Sequence, residues 1–435
     1  MTIITQDTAN AQPEAVTKAT NAQPEAAMEM SSNPNITVID SIMGSGKTSW
    51  AIQYINDHPE KNFLYITPFL DEVGRVIEST KHRRPFHQPL NKGTGKLNSL
   101  SALLEAGKNI ASTHELFRSL NADCRRKIQQ HGYTLILDEV LDVIEPLKCK
   151  RNDVEMMKKA KLISIGPNHR VLWNQDYKDY DGFFSNFKKM AEGNSLMCID
   201  EVLFIWQYDP DIFRLFDQTF VMTFMFKATI FRYYLDLNKL TYIIKSVDMN
   251  IASDGTRVYS IGPYKSPDLR GIRNKIHIYE GKLNERFPQT KTTFSKGWYQ
   301  TSSNKEKFDT IRKNCYNFFR NINGAKCENA IWTSFKTART KTHCRGFSKA
   351  FIPCNCRATN DYVDRTVCAY LINVYFNPVI NRYFQYGGIE VDQDQYALSE
   401  MVQWIWRSAI RNGKDIYIYI PSNRMRNLLH EWLYG

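Results

Sequence analysis

The chain has 435 residues, 43% hydrophobic and 13% aromatic, which is enough for more than one packed core. It contains no run of about 18 apolar residues to span a membrane, and its start, MTIITQDTAN, lacks the basic-then-apolar pattern of a secretory signal. Lysine plus arginine number 57 against 45 acidic residues, a net charge of +12 that suits a polyanion partner, and the nine cysteines read as reduced thiols of a cytoplasmic protein.

Residues 1–34 are poor in core-forming side chains and carry the hexamer NAQPEA twice. Such a tail cannot bury enough surface to offset its ordering entropy, so it reads as disordered. Ile36, Val38 and Ile39 then make a buried strand, residues 41–48 (SIMGSGKT) a phosphate-binding loop, and Trp50, Ala51, Ile52, Tyr54 and Ile55 one face of a helix. Strand, glycine-rich turn and helix start are the context such a loop requires. Its backbone N–H groups and the helix N-terminus favour a phosphate chain. Gly44, Ser45, Gly46, Lys47, Thr48 and Ser49 are therefore candidate nucleotide-binding residues. Lys47 would reach the terminal phosphates and the Thr48 hydroxyl a magnesium ion.

Residues 62–68 (NFLYITP) form a second buried strand that Pro68 ends, and a helical stretch follows at 70–79. A small basic cluster lies at 81–84, and residues 108–112 form a third strand before a helix opened by Thr113, His114 and Glu115. Residues 133–140 (YTLILDEV) are the second strong signal: Leu135, Ile136 and Leu137 make a buried strand with Asp138 and Glu139 at its C-terminal end, the edge where ligands bind in open α/β sheets. Asp138 would hold magnesium and Glu139 would polarise the attacking water. Residues 146–215 lack a strand–helix rhythm and read as a largely helical insertion with one strand at 196–200. A strand at 220–223 closes the first domain, set at 35–237.

The second domain, 238–435, opens with β-rich text, LTYIIKSVDM and RVYSIG. Strands are expected at 275–279, 330–335, 347–352 and 415–420, and helices at 305–322, 367–377, 396–411 and 422–433. His343, Cys344, Cys354, Cys356 and Cys368 match no zinc-ligand spacing and read as ordinary thiols. The expected helix at 396–411 carries Gln403, Arg407 and Arg411 at i, i+4 and i+8, close to one face. With a phosphate loop and an acid pair upstream, these arginines read as a finger that inserts from the second domain against the γ-phosphate, with Gln403 as a polar contact.

This motif set resembles the superfamily 2 helicases of the DExD/H group. Residues 41–48 look like motif I, Tyr65-Ile66-Thr67-Pro68 like motif Ia, Ser112-Thr113-His114-Glu115 like motif Ib and Asp138-Glu139-Val140-Leu141 like motif II. Thr223 falls where motif III belongs, residues 331–335 where motif IV belongs, and 403–411 resemble motif VI. The segments RATNDY (357–362), ALSEMVQWIWRSAIRNG and YIPSNRMRNLL are similar to phage-encoded helicase-like proteins related to replication-origin-binding proteins. The resemblance implies an α/β fold of two RecA-like P-loop NTPase domains with ATP and Mg²⁺ between them. It implies an ATP-dependent DNA helicase or translocase in phage DNA replication, with DNA and other replication proteins as partners. The alternative it leaves open is an origin-binding protein that uses ATP as a switch. Motif II reads DEVL, without the usual polar fourth residue, the two arginines stand four apart rather than three, and motif V has no clear Gly-Asp signature, with Thr359-Asn360 no more than a candidate.

Overall fold

The computed structural model describes residues 35–80, 85–91, 93, 95–286, 288–355 and 361–435. The expected N-terminal tail, the basic cluster at 81–84, Cys356, and residues 357–360 with the motif V candidate lie outside the described residues.

The first lobe is built on an eight-stranded sheet of order β13-β12-β1-β11-β5-β2-β4-β3. Its strands are β1 (Ile36–Asp40), β2 (Asn62–Thr67), β3 (Phe86–His87), β4 (Asn109–Thr113), β5 (Tyr133–Asp138), β11 (Gln218–Thr223), β12 (Tyr242–Ile251) and β13 (Arg257–Pro263). All neighbours are parallel except the β12–β13 pair. Side chains alternate between two cores, as the pleat demands. Ile36, Val38, Leu64, Leu135 and Leu137 enter one, whereas Ile39, Phe63, Tyr65 and Ile136 enter the other.

Two expectations are corrected in this lobe. The sheet runs on to Pro263, past the expected boundary at 237, because β12 pairs in parallel with β1 (Ile36 opposite Tyr242). Tyr242 and Ile244 lie against one core of the sheet, and Val247, Tyr259 and Ile261 against the other. The insertion is mixed rather than largely helical. Strands β6 (Ile144–Pro146), β9 (Leu196–Ile199) and β10 (Leu203–Gln207) make an antiparallel sheet of order β6-β10-β9, and β7 (Ile163–Ile165) pairs with β8 (Val171–Trp173). Helices Arg151–Lys159 and Ser185–Glu192 flank them, around a core that includes Val154, Trp173, Phe184 and Phe204. These strands are three to five residues long, too short to print a period on the sequence.

The second lobe carries a parallel sheet of order β14-β17-β16-β15, from β14 (Ile276–Ile278), β15 (Ala330–Thr333), β16 (Val367–Tyr370) and β17 (Ile416–Tyr419). Its two faces are again distinct: Ile331, Cys368, Tyr370 and Ile418 pack under helix Gln393–Ile405, and Ala330, Trp332, Val367 and Ala369 under helix Lys305–Tyr316. The expected helix at 367–377 is a buried strand with an extended continuation, since a fully apolar run fits either period. The expected strand at 347–352 is a short 3₁₀ turn, Ser348–Ala350, with one bridge from Phe351 to Trp332.

Helix Pro378–Tyr386 crosses over. Asn377 caps it, its side-chain oxygen accepting from Val379 N at 2.9 Å. Ile380, Tyr383 and Phe384 are buried in the first lobe's core rather than in the second's. Tyr383 Oη donates to Gln207 Oε1 at 2.9 Å, and Arg382 Nε lies 2.8 Å from Asp200 of the insertion.

Candidate nucleotide-binding site

The loop after β1 turns sharply. Ser41 N donates to the carbonyl of Thr223 on β11 at 3.1 Å, and Ser45 N to Ile42 O at 3.2 Å. Gly44 and Gly46 both take positive φ, 85° and 95°. Open space surrounds the Gly44 position, whereas a Cβ on Gly46 would run into the Tyr259 ring of β13. Gln53 holds that ring in place, its amide taking Tyr259 N at 2.9 Å and giving to Tyr259 O at 3.0 Å. Helix Lys47–Asp57 starts directly after Gly46 with no side-chain cap, so the N–H groups of its first turn, from Lys47 to Ser49, stay available to an anion.

Lys47 Nζ donates to the carbonyls of Ser41 at 2.5 Å and Ile42 at 3.2 Å. Burial pushes its pKa down, while Glu139 first, then Asp138 and Asp40, pull it back up. Asp138, at the end of β5, accepts from Tyr65 Oη at 2.7 Å. Burial holds the Asp138 pKa above the usual carboxylate range, against Tyr65, Lys47, Arg75 and the Thr48 hydroxyl, which lies within hydrogen-bonding reach. Thr48 and Asp138 thus stand together, a hydroxyl and a carboxylate as magnesium prefers. Glu139 has φ 73°, a left-handed backbone that is uncommon outside glycine, and its N–H is anchored to Met222 O on β11 at 3.0 Å. Such an outlier costs about 1–3 kcal/mol and persists where the surroundings over-determine it.

Two buried hydroxyls at this edge, Ser45 Oγ and Thr223 Oγ1, have no hydrogen-bond partner among the described residues. Orphan donors, an uncapped helix start, a lysine and a hydroxyl–carboxylate pair are a donor set that fits a magnesium-bound triphosphate.

The second lobe meets the loop directly. Ile42, Met43, Phe224 and Met225 pack with Trp404, Ile405, Ala409 and Ile410, and the Phe224 and Trp432 rings stand 6.5 Å apart. The expected helix at 396–411 is corrected here: it ends at Ile405, and Ser408, with ψ near −174°, breaks it before a 3₁₀ turn at Ala409–Asn412. Gln403, Arg407 and Arg411 therefore do not share one helical face. Gln403 Nε2 turns along its own helix to Ser399 Oγ at 3.1 Å. Arg407 is buried, donates to Gln403 O at 3.3 Å, and sets its charge against Cys354 and Tyr370 of the second lobe. Arg411 is exposed; burial lowers the Lys47 pKa and raises that of Glu72, and the Arg411 charge adds a small downward pull on both. The fold thus brings Lys47, Thr48, Asp138 and Glu139 together, and the packing of Ala409 and Ile410 against Ile42 and Met43 brings the turn that carries Arg411 to the same edge.

Several residues around this edge escape a motif reading. Tyr65 sits in the motif Ia-like segment, yet it serves the Asp138 carboxylate. Glu72 and Arg75 form an i, i+3 ion pair of 2.7 Å beside it, a spacing that is visible only once the helix Leu70–Thr80 is granted. Asp40, buried at the end of β1, accepts from Phe226 N at 3.0 Å, and burial raises its pKa.

A chain named as the SPbeta prophage-derived uncharacterized protein YonV, from Bacillus subtilis (strain 168), is 37% identical over 408 residues, which is 92% of this chain and 98% of that one. This chain belongs to the YonV family. The family's C-terminal Rossmann-like domain matches residues 270–433, and its middle domain residues 144–206. Within this YonV-family chain these segments are the second lobe and most of the insertion. Among solved structures, one named XPD_APO is 11% identical with a TM-score of 0.47, covering 91% of this chain and 95% of that one. Xpd4 of S. tokodaii is 9% identical with a TM-score of 0.44, covering 92% and 94%. No helix among the described residues is long and apolar enough to cross a membrane.

Proposed function

We propose that the chain is a nucleic-acid-dependent ATPase of the superfamily 2 kind, a DNA translocase or helicase that works on phage DNA from a nucleotide site between two RecA-like lobes. The observation that carries this reading is the packing of Ile42 and Met43, in the loop of the first lobe, against Ile405, Ala409 and Ile410, the segment of the second lobe that leads to Arg411. The prophage origin of the relative from Bacillus subtilis supports phage DNA as the substrate.

The loop from Gly44 to Ser49 would cradle the phosphates through its N–H groups, with Ser45 Oγ as a further donor. Thr48 and Asp138 would hold magnesium, which when bound neutralises charge on the phosphate oxygens. Lys47 would leave the carbonyls of Ser41 and Ile42 for the terminal phosphates. Glu139, fixed by its bond to Met222 O, would orient a water and accept its proton. Arg411 would meet the charge that develops on the transferring group. Gln403 and Arg407 would brace the segment that carries Arg411.

The test is ATP turnover with single-stranded DNA, duplex DNA, RNA or no polymer, alongside strand displacement on a tailed duplex. Stimulation by DNA is expected, with Lys47→Ala abolishing turnover and weakening nucleotide binding. Glu139→Gln should bind ATP and stall with DNA held. Unchanged turnover in Glu139→Gln would refute the assignment of the acid pair.

A further inference from the structure

A second feature lies on the other face of the second sheet. Helix Lys305–Tyr316 buries Phe308, Ile311 and Cys315 against the face carrying Trp332 and Ala369, opposite the one covered by the helix that leads to Arg411. Beyond Tyr316 the chain does not stay α-helical: Asn317–Ile322 is a π-helix. The wider i→i+5 turn re-aims the residues it carries, and such turns gather at functional positions.

Here they border a concavity of about 1480 Å³ whose lining includes Arg286, Lys313, Tyr316, Arg320, Lys326 and Arg345. Among the described residues no carboxylate lines it. Among the described residues Arg286, Lys313, Arg320 and Arg345 have no acidic partner, whereas Lys326 stands 4.0 Å from Glu328 and Arg312, also in the lining, pairs with Asp309. Packing these cations around one hollow costs self-repulsion that Asp309 and Glu328 offset only in part. The volume exceeds the roughly 300–1,000 Å³ of small-molecule sites, which favours a polymer over a metabolite. Tyr316 is 39% exposed and offers a ring on which a base can stack, with the amides of Asn317 and Asn321 beside it. A cationic groove interleaved with an aromatic platform is the pattern by which unpaired strands are held.

We propose that this concavity is a second contact for single-stranded nucleic acid, separated from the nucleotide site by the thickness of the second sheet. The proposal rests on nucleic acid being the substrate, but not on ATP turnover. A strand held here stays tethered while the cleft on the opposite face opens and closes.

The test uses the full chain without nucleotide, titrated against a fluorescein-labelled dT20 strand and a 20-base-pair duplex by anisotropy. Lys313→Glu, Arg320→Glu and Arg345→Glu together should weaken dT20 binding at least tenfold. They should also reduce the slope of log K against log salt by about 2, from about 0.7 per lost phosphate contact. Tyr316→Ala should weaken dT20 at least fivefold. A charge-matched control elsewhere on the surface, Lys148→Glu with Lys159→Glu and Lys239→Glu, should change it less than twofold. An unaltered melting midpoint and fluorescent ADP affinity would show the triple variant folded. Wild-type affinity in the triple variant, an equal loss in the control, or a loss confined to the duplex would each overturn the proposal. Absence of ATP turnover in the wild type would remove the motor reading and leave the binding result standing.

Discussion

Arg411→Ala is the sharpest test of the proposed finger. The side chain is exposed on a short 3₁₀ turn whose backbone bonds, Arg411 N to Ser408 O and Gly413 N to Ile410 O, do not involve it. Truncation there should change folding stability by no more than about 0.5 kcal/mol. The turn that carries it, by contrast, packs through Ala409 and Ile410 on Ile42 and Met43 of the loop that holds Lys47. A guanidinium brought to about 4 Å from the transferring phosphate, at an effective dielectric of about 20, is worth about 4 kcal/mol. That corresponds to roughly 10³ in rate, the lower end of what arginine fingers supply. The assay is steady-state phosphate release at saturating DNA, with fluorescent ATP affinity measured alongside. We expect kcat to fall about 10³-fold while ATP affinity changes less than tenfold and the melting midpoint holds. A variant that keeps a third or more of wild-type kcat would refute the finger assignment and leave the lobes meeting for structural reasons alone.

Three further outcomes follow from the same edge and from the cores. Tyr65→Phe removes a 2.7 Å bond that lowers the Asp138 pKa against burial; because Asp138 must be ionised to hold magnesium, activity is lost as pH falls through a value already raised, and the variant should move that acid limb upward and raise the magnesium requirement several-fold. A pH–rate profile and a magnesium titration check this, and an unmoved acid limb would count against Asp138 as the ligand. Gly46→Ala forces a side chain at φ 95° into the Tyr259 ring; nucleotide affinity should fall at least tenfold, and adding Tyr259→Ala should restore only part of it, since the backbone strain remains. Burial pushes the Cys198 thiol up to about 11 and Cys368 up to about 12, leaving roughly 0.1% and 0.01% thiolate at pH 8; mass spectrometry after iodoacetamide should find both unlabelled in the native chain and labelled in urea.

The strand, turn and helix at 36–57 and the carboxylates at the end of β5 are legible because each is a short-range pattern: a glycine turn before a helix, and acids closing a wholly apolar strand. The partition between lobes was not, because nothing local to LTYIIKSVDM reveals that Tyr242 will stand opposite Ile36, far back in the chain. Residues 367–377 misread as a helix because a buried parallel strand shows no alternation. The face shared by Gln403, Arg407 and Arg411 failed at Ser408, where one extended residue cancels a periodicity that the text carries straight through. Tyr65 was visible as a motif neighbour, but its service to Asp138 depends on β2 lying beside β5 in register, a tertiary fact.

Helix Pro378–Tyr386 makes the two halves of the chain inseparable as reagents. The family's C-terminal domain begins at residue 270, yet Ile380, Tyr383 and Phe384 belong to the core on the far side of that line. A fragment ending there would present a greasy trough where the helix had lain, and the complementary fragment would carry three buried side chains with nowhere to go. Any swinging of the second lobe leaves this helix behind with the first, so the connectors on either side of it must flex together with the one between β13 and β14.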